Sequence, residues 1–313
     1  MRPLVSICVP TCERPDLIRE ALASCWDQDY APIEVLVGDD SENQATERAV
    51  TAAAEAAGRP VRYWHNAPRL GQAANINRLL DQAYGDRLVI LHDDDRLLPG
   101  AVRALNACWQ VAPDTACAFG LQHVISAEGE VLARESQALN TAYFRTPDRA
   151  GPQGSALASA LMGQMPNNGY LVLTEAARAI RFRDRNIVGD GCDYDFGIRL
   201  AQQYGGFFFL DQYTSQLRRT PGSITSSGTV SPMFGVVSAL DLPPELEFAR
   251  RIALRRMAPG VVRDFALHGR RREALRVYLS DAYPLRQRPH GAIHLLMGLW
   301  PRLARIRAIR RRS

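Results

Sequence analysis

Short apolar runs alternate with amphipathic stretches along the first third of the chain. Residues 4–9 (LVSICV) are nearly continuously apolar and end at Pro10, the pattern of a buried strand. Leu17, Ile18, Ala21, Leu22, Cys25 and Trp26 then recur at helical spacing, with Pro15 near the start. Residues 33–37 (IEVLV) predict a second strand, and the alanine-rich stretch 46–57 a second helix ended by Gly58. A strand over 61–64, a helix over 73–83 and a strand over 88–91 (LVIL) follow. Strands alternating with helices predict a parallel sheet covered on both faces.

The second half is less regular. Residues 98–109 predict a helix, 116–126 a strand, and Gly129 a turn. Residues 134–155 are polar and aperiodic, which predicts an irregular, mobile loop. Strands are expected at 169–173 and 207–210, and a helix at 193–203 stopped by Gly205-Gly206. Residues 220–232 are rich in Ser, Thr, Gly and Pro and predict a loop. From about Pro244 the chain becomes helical and basic. The expected fold class is α/β, with one domain over 1–243 and a basic helical C-terminal extension over 244–313.

Charge changes that picture. The net +5 of the 313 residues hides an asymmetry: residues 246–313 hold 17 arginines against four acids. The remainder holds 21 arginines against 29 acids, so an acidic body carries a basic tail. Such a tail suits an anionic partner: a membrane surface, nucleic acid or a phosphorylated carrier. Leu303, Ile306 and Ile309 recur among the last arginines, a pattern suited to an interfacial helix or to a helix packed on the body with a solvated basic face. Nucleic acid is disfavoured, because no aromatic interleaving or recognisable module accompanies the arginines. The chain has no lysine, which reflects genome composition rather than function. The six cysteines are scattered, without CxxC or zinc spacing, which fits a reducing cytosol. No charged leader with a long apolar stretch opens the sequence, and no apolar run is long enough to span a bilayer. The expected location is cytoplasmic, peripheral at the inner face of the plasma membrane where the tail engages it.

Ligands of open α/β sheets bind beyond the carboxyl ends of the strands. Three such ends carry polar residues: Pro10-Thr11, Gly38-Asp39-Asp40-Ser41 and His92-Asp93-Asp94-Asp95. Three consecutive aspartates repel one another unless a cation lies among them, and carboxylates bind Mg²⁺ or Mn²⁺ well. The competing explanation is a helix N-terminus near Leu98, where aspartate is also favoured. Asp39 and Asp40 fit either a turn and helix cap or acceptors for a base N–H or ribose hydroxyl.

The segment VSICVPTCERPDLIREALASCWDQDYAPIEVLVGDDS resembles the opening of family 2 glycosyltransferases: a strand, Pro-Thr, a helix, then a strand ending in Asp-Asp-x-Ser. NAPRLGQAANINRLLDQAYGDRLVILHDDDRLLPGAV continues the pattern with the Gly-x-x-x-Ala-x-Asn helix and the strand leading to the DxD region. The resemblance covers about the first 110 residues. It implies a GT-A, Rossmann-like fold with a mixed, mostly parallel sheet flanked by helices. It divides the main domain into a donor half over 1–110 and an acceptor half over 111–243. It also implies a nucleotide-sugar donor (UDP-, dTDP- or GDP-linked), a divalent metal, Mg²⁺ or Mn²⁺, and a saccharide or lipid-linked acceptor. By carry-over, Pro10, Thr11 and Glu13 line the nucleotide pocket, Asp40 with Asp39 contacts base or ribose, and Arg69, Gly71 and Asn75 lie near the nucleotide or diphosphate. Asp94 is the main metal ligand, with Asp93 and Asp95 assisting.

Three positions depart from the family pattern. His92 stands where the first aspartate of Leu-Asp-x-Asp-Asp is common, which leaves open which carboxylate holds the metal. GDGCDYDFGIRLAQQ resembles the Glu-Asp-x-Asp segment; Cys192 replaces the Glu, and Asp193 aligns with the carboxylate that serves as base. Helix capping by Asp190, Asp193 and Asp195 is the structural alternative. LRRTPGSIT resembles the Arg-x-His-x-x-Ser loop with Thr220 in place of His, leaving Arg218, Arg219 and Ser223 as phosphate contacts or as a solvated loop. The resemblance implies an inverting single displacement with Asp193 as base, and the loops 134–155 and 220–232 as lids. A nucleotide-binding, membrane-recruited protein without transfer activity is the rival from another class. Nucleotidyl transfer is disfavoured, because TCERPD lacks the Gly-rich loop that chemistry uses.

Overall fold

The computed structural model describes residues 2–219, 229–287, 289 and 291–293. Packing divides the chain into two compact units, residues 1–184 with 192–221, and residues 185–191 with 222–313.

The first unit is built on a nine-stranded sheet. Strands β1 (Val5–Thr11), β2 (Ile33–Asp39), β3 (Arg62–His65) and β4 (Arg87–Ile90) pair in parallel in the order β3-β2-β1-β4. Beyond β4 the sheet turns mixed. It continues through β8 (Leu171–Leu173), β6 (Cys117–Ile125), β9 (Phe207–Arg218) and the two-residue β5 (Arg96–Leu97), and β7 (Gly151–Pro152) pairs with β9. Helices α1 (Leu17–Trp26), α2 (Ala45–Ala57), α3 (Gln72–Gln82) and α4 (Ala101–Val111) alternate with the first strands as the apolar pattern requires. Period-two alternation sends Val5, Ile7, Val9, Val35 and Val37 into one core with Leu22, Val50 and Leu105. Cys8 and Leu36, between them, are equally buried on the other face. Gly58 ends α2 in the left-handed region (φ 59°), where a side chain would be strained.

Three expectations are corrected. Residues 134–155 are not an irregular loop: α5 (Ala133–Ala142) fills much of the segment, and α6 (Ala156–Leu161) follows it. Helix α5 has no apolar stripe because its buried positions are polar. Ser136 Oγ accepts from Val124 N (2.8 Å), Asn140 Oδ1 accepts from Gln122 N (3.2 Å), and Asn140 Nδ2 donates to Gln122 O (2.9 Å). These side chains satisfy the free backbone edge of β6. Strand β9 also runs eight residues past its expected end, because Thr214 and Ser215 are polar yet buried.

Two more helices complete the first unit, α7 (Thr174–Ile180) and α9 (Cys192–Gln203). The second unit contains the short helix α8 (Arg185–Val188), α10 (Ser231–Ser238), α11 (Glu247–Leu267) and α12 (Arg271–Leu279). Ala258, Val261, Val262, Ala274, Val277 and Tyr283 form its core. Helix α10 takes in the last two residues of the expected 220–232 loop, while Thr229 and Val230 before it lie in no element. Residues 220–228, with Thr220 and Ser223, and the terminal arginines from Arg302 on lie outside the described residues.

Candidate functional site

Parallel pairing of β2, β1 and β4 brings their carboxyl ends to one rim, because β1 lies between the other two. Pro10 and Thr11 close β1, Asp39 closes β2, and the acidic turn begins two residues past β4. All three groups of strand-end residues therefore meet, as the alternation of elements predicted.

Most of these side chains hold the rim together. Thr11 Oγ1 donates to Asp93 Oδ2 (2.8 Å), which ties β1 to the acidic turn. Arg14 lies between Asp93 and Asp94, its Nη1 at 2.8 and 2.9 Å from one carboxylate oxygen of each. This arginine supplies part of the positive charge that three consecutive aspartates require. Asp39 accepts from Ser41 N (2.8 Å) and the Tyr63 hydroxyl (2.7 Å). Asp40 accepts from Asn66 Nδ2 (2.8 Å), Leu70 N (3.2 Å) and Gly71 N (2.8 Å), so its buried carboxylate fixes the loop that opens α3. Asn75 Nδ2 donates to Gly38 O (2.8 Å), and a Cβ at Gly38 would overlap the Asn75 side-chain oxygen. Glu13, at φ 55°, accepts from Glu42 N (2.7 Å) and Asn43 Nδ2 (2.9 Å), bridging the ends of β1 and β2. Arg69 is exposed beside Glu42 (3.2 Å) and Cys12 Sγ (2.5 Å).

The acidic turn is the most polarised part of the rim. Asp95 is buried and accepts from Asn168 Nδ2 and Arg218 N, both at 2.7 Å. Burial, reinforced by Asp94, pushes its carboxyl up to about 7. Burial also raises Asp93, partly offset by Arg14. Burial disfavours charge on His92, but Asp193, Asp95, Asp94 and Asp93 outweigh it and lift the imidazole above its ordinary value. Arg218 is not free to meet a phosphate. Its Nε donates to Asp94 O (2.9 Å), its Nη1 to Ala127 O (2.7 Å), and its Nη2 pairs with Glu20. Arg219 pairs with Glu135 (2.8 Å).

Asp193 and Asp195 both lie in the first turn of α9 but differ in surroundings. Asp195 is buried between Arg199 (2.8 Å) and Arg183 (3.4 Å), a structural ion-pair cluster. Asp193 has no such pair, and its Oδ1 is buried without a hydrogen-bond partner. Burial raises its carboxyl, with His92 the largest opposing influence. The Tyr170 hydroxyl, which feels the Asp193 charge, is likewise buried and unpartnered. Asp190, in the other unit, pairs with Arg185 (2.6 Å) and accepts from Thr229 N (2.9 Å).

The acidic turn gathers side chains that could hold a divalent ion after a small adjustment. Ligand atoms of His92, Asp94 and Asp95 lie within 4.8 Å of one another. Cation–ligand bonds of about 2.0–2.2 Å place two donors on one ion about 3–4.4 Å apart. The pattern of strand ends located this rim but missed Arg14, Asn66, Asn168 and Tyr170. Arg14 sits inside the TCERPD loop and was readable as a partner for the acids; Asn168 and Tyr170 arrive from a distant loop with no local signal.

Residues 6–159 match the family model described as Glycosyl transferase family 2. A relative from Mycobacterium tuberculosis, itself uncharacterized, is 32% identical over 53% of this chain and 50% of its own. The GalNAc(5)-diNAcBac-PP-undecaprenol beta-1,3-glucosyltransferase of Campylobacter jejuni is 34% identical over 33% of each chain. The chain thus spans half of the first relative and a third of the second. The mannosyltransferase PcManGT of Pyrobaculum calidifontis, solved with GDP-Man and Mn²⁺, superposes with a TM-score of 0.60 at 18% identity, covering 96% of this chain and 88% of that one. That likeness carries the fold: a mixed sheet flanked by helices, of the GT-A type. With the strand-end residues gathered on one rim and the matched segment running through them, residues 6–159 form a glycosyl transferase family 2 domain.

Proposed function

We propose that the protein transfers a sugar from a nucleoside-diphosphate donor to an acceptor hydroxyl with inversion, in surface polysaccharide or glycoconjugate synthesis. The observation that carries this reading is Asp193: a carboxylate with an unpartnered buried oxygen, raised by burial and electrostatically coupled to the acidic turn. A base needs a free oxygen and an elevated affinity for a proton, and Asp193 has both. Family membership and the Mn²⁺-bound and sugar-nucleotide-bound fold neighbour support the donor class and the metal.

Asp193 takes the proton of the acceptor hydroxyl as that oxygen bonds to the anomeric carbon. The bond from that carbon to the phosphate oxygen breaks, and its electron pair leaves with the nucleoside diphosphate. Asp94 and Asp95 would hold the divalent cation, which would supply positive charge for the leaving diphosphate. Asp93, clamped by Thr11 and Arg14, fixes the turn. Asp40, Asn66 and Asn75 hold the loop 66–71 in register with the end of β2, where a nucleotide would lie. A lipid-linked saccharide acceptor is supported by the name of the Campylobacter relative. Contact with the inner membrane surface is supported by the basic C-terminal stretch, and by α12, where Leu275 and Leu279 are exposed among Arg271, Arg272 and Arg276.

The first experiment is a thermal-shift screen with UDP, dTDP, GDP and CMP, each with and without Mn²⁺, on the protein and on Asp94→Ala. A metal-dependent rise with one nucleoside diphosphate, lost in the variant, is expected and names the base. No shift with any of the four, well above typical donor affinities, would refute the transferase reading. A shift without subsequent transfer to any saccharide would favour a nucleotide-binding role alone.

A further inference from the structure

His92 occupies a position where the family pattern has a carboxylate, yet its ring stays within the acidic turn. A hydrogen bond from Asp95 N to His92 O (3.1 Å) closes the turn and brings residues 92 and 95 together. His92 Nδ1 is 3.8 Å from Asp95 Oδ2, beyond hydrogen-bond reach, so that carboxylate does not fix the ring. The other nitrogen, Nε2, is buried and has no hydrogen-bond partner. A half-turn of the ring exchanges the two nitrogens, so either is available to a ligand. Asp93 stands outside this group, its carboxylate turned toward Thr11 and Arg14; Asp95 accepts from Asn168 Nδ2 and Arg218 N, and each of its oxygens keeps a second lone pair for a cation. His92, Asp94 and Asp95 remain, their ligand atoms within 4.8 Å. A rotation that closes the widest of these gaps by a few tenths of an ångström brings all three onto one ion.

We infer that His92 is a nitrogen ligand of the cation held by Asp94 and Asp95, and that it biases this site toward Mn²⁺ over Mg²⁺. Mg²⁺ is a hard ion that prefers oxygen and keeps its waters, whereas imidazole suits the transition ions. A carboxylate at position 92 would add charge without that selectivity. The inference rests on the assignment of Asp94 and Asp95 as cation ligands made above.

The test uses the full chain and Mn²⁺ alone, with the bound ion followed by electron spin-echo envelope modulation and by titration. The expected spectrum carries the hyperfine coupling of a directly coordinated nitrogen. His92→Gln loses that coupling, binds Mn²⁺ about tenfold or more weakly, and has a narrower preference over Mg²⁺. His92→Asp binds tightly without the nitrogen signal and shifts the preference toward Mg²⁺. Thermal unfolding of both variants establishes that each is folded. Mn²⁺ that binds, is released in Asp94→Ala and shows no nitrogen coupling overturns the role of His92 while the cation site stands. The same nitrogen coupling in His92→Gln has that consequence too. No Mn²⁺ binding at all overturns the cation site and the inference together.

Discussion

Two aspartates three positions apart in sequence pattern, Asp193 and Asp190, read alike as caps or as catalytic groups, and only their surroundings separate them. Asp190 is paired, and Asp195, two residues past Asp193, is clamped by two arginines, while Asp193 keeps a buried oxygen unpartnered. Motif alignment selected Asp193; nothing in its spacing said that the others would be neutralised. The same holds for Asp40. Its place after β2 was legible, but its three bonds to residues 66–71 depend on the path of a loop that no local pattern encodes. Asp193→Asn is expected to cut kcat by at least about 100-fold, with a smaller effect on KM. The pH dependence has a definite sign. A base must be deprotonated, and burial raises Asp193, so the acid limb of kcat/KM lies above the ordinary carboxylate range. A limb at about pH 4 would contradict the assignment. Stability runs the other way. A carboxyl raised in the folded state binds its proton more tightly there than in the unfolded chain. Its contribution is therefore greatest below the unfolded value and falls as pH rises through the folded one. Asp193→Asn should accordingly melt higher than the parent at pH 8, and the gap should shrink at pH 5. About 1 kcal/mol corresponds to about 2–4 °C for a domain of this size.

Elements built on apolar periodicity were legible almost to the residue. The strands at 33–37 and 88–91 and the helix at 46–57 appear in place, because one buried face dictates each. Elements docked through polar side chains were not. Helix α5 reads as loop because its inward positions are Ser136 and Asn140, four residues apart, and both act as surrogates for a neighbouring strand. Asn140 alone satisfies both the N–H and the C=O of Gln122 on the side of β6 that β9 does not cover. Asn140→Ala leaves both groups buried and unpaired, at a cost of about 2–4 kcal/mol. Asn140→Leu restores the volume but not the bonds, so it should rescue little. Urea midpoints of the two variants decide the matter: recovery with leucine would mean that packing, not edge satisfaction, holds α5.

At the scale of the molecule, the asymmetry of charge was fully legible, since it needs only a count of residues, but its structural bearer was not. The last arginines, where the interfacial pattern is readable in the sequence, lie outside the described residues. Among the described residues most arginines of the basic stretch lie on α11 and α12; α12 buries Ala274 and Val277 in the core of its unit and turns Leu275 (47% exposed) and Leu279 (64% exposed) outward. Exposed leucines one turn apart, beside Arg271, Arg272 and Arg276, cost solubility unless something covers them. An anionic bilayer does so with both its headgroups and its acyl boundary. No helix among the described residues is long and apolar enough to cross a membrane. The chain should co-sediment with phosphatidylglycerol vesicles and much less with phosphatidylcholine, and salt should weaken the binding. Each arginine near such a surface contributes about 1 kcal/mol. Replacing Arg271, Arg272 and Arg276 by glutamine should therefore weaken partition by about 100-fold. Leu275→Ser with Leu279→Ser separates the two contributions: it removes the salt-insensitive part of binding and leaves the salt-sensitive part. If neither set changes partition while the full chain still binds, the contact belongs to the terminal arginines. If the full chain ignores anionic vesicles altogether, the basic stretch serves something other than lipid, and a soluble phosphorylated acceptor becomes the partner to test against it.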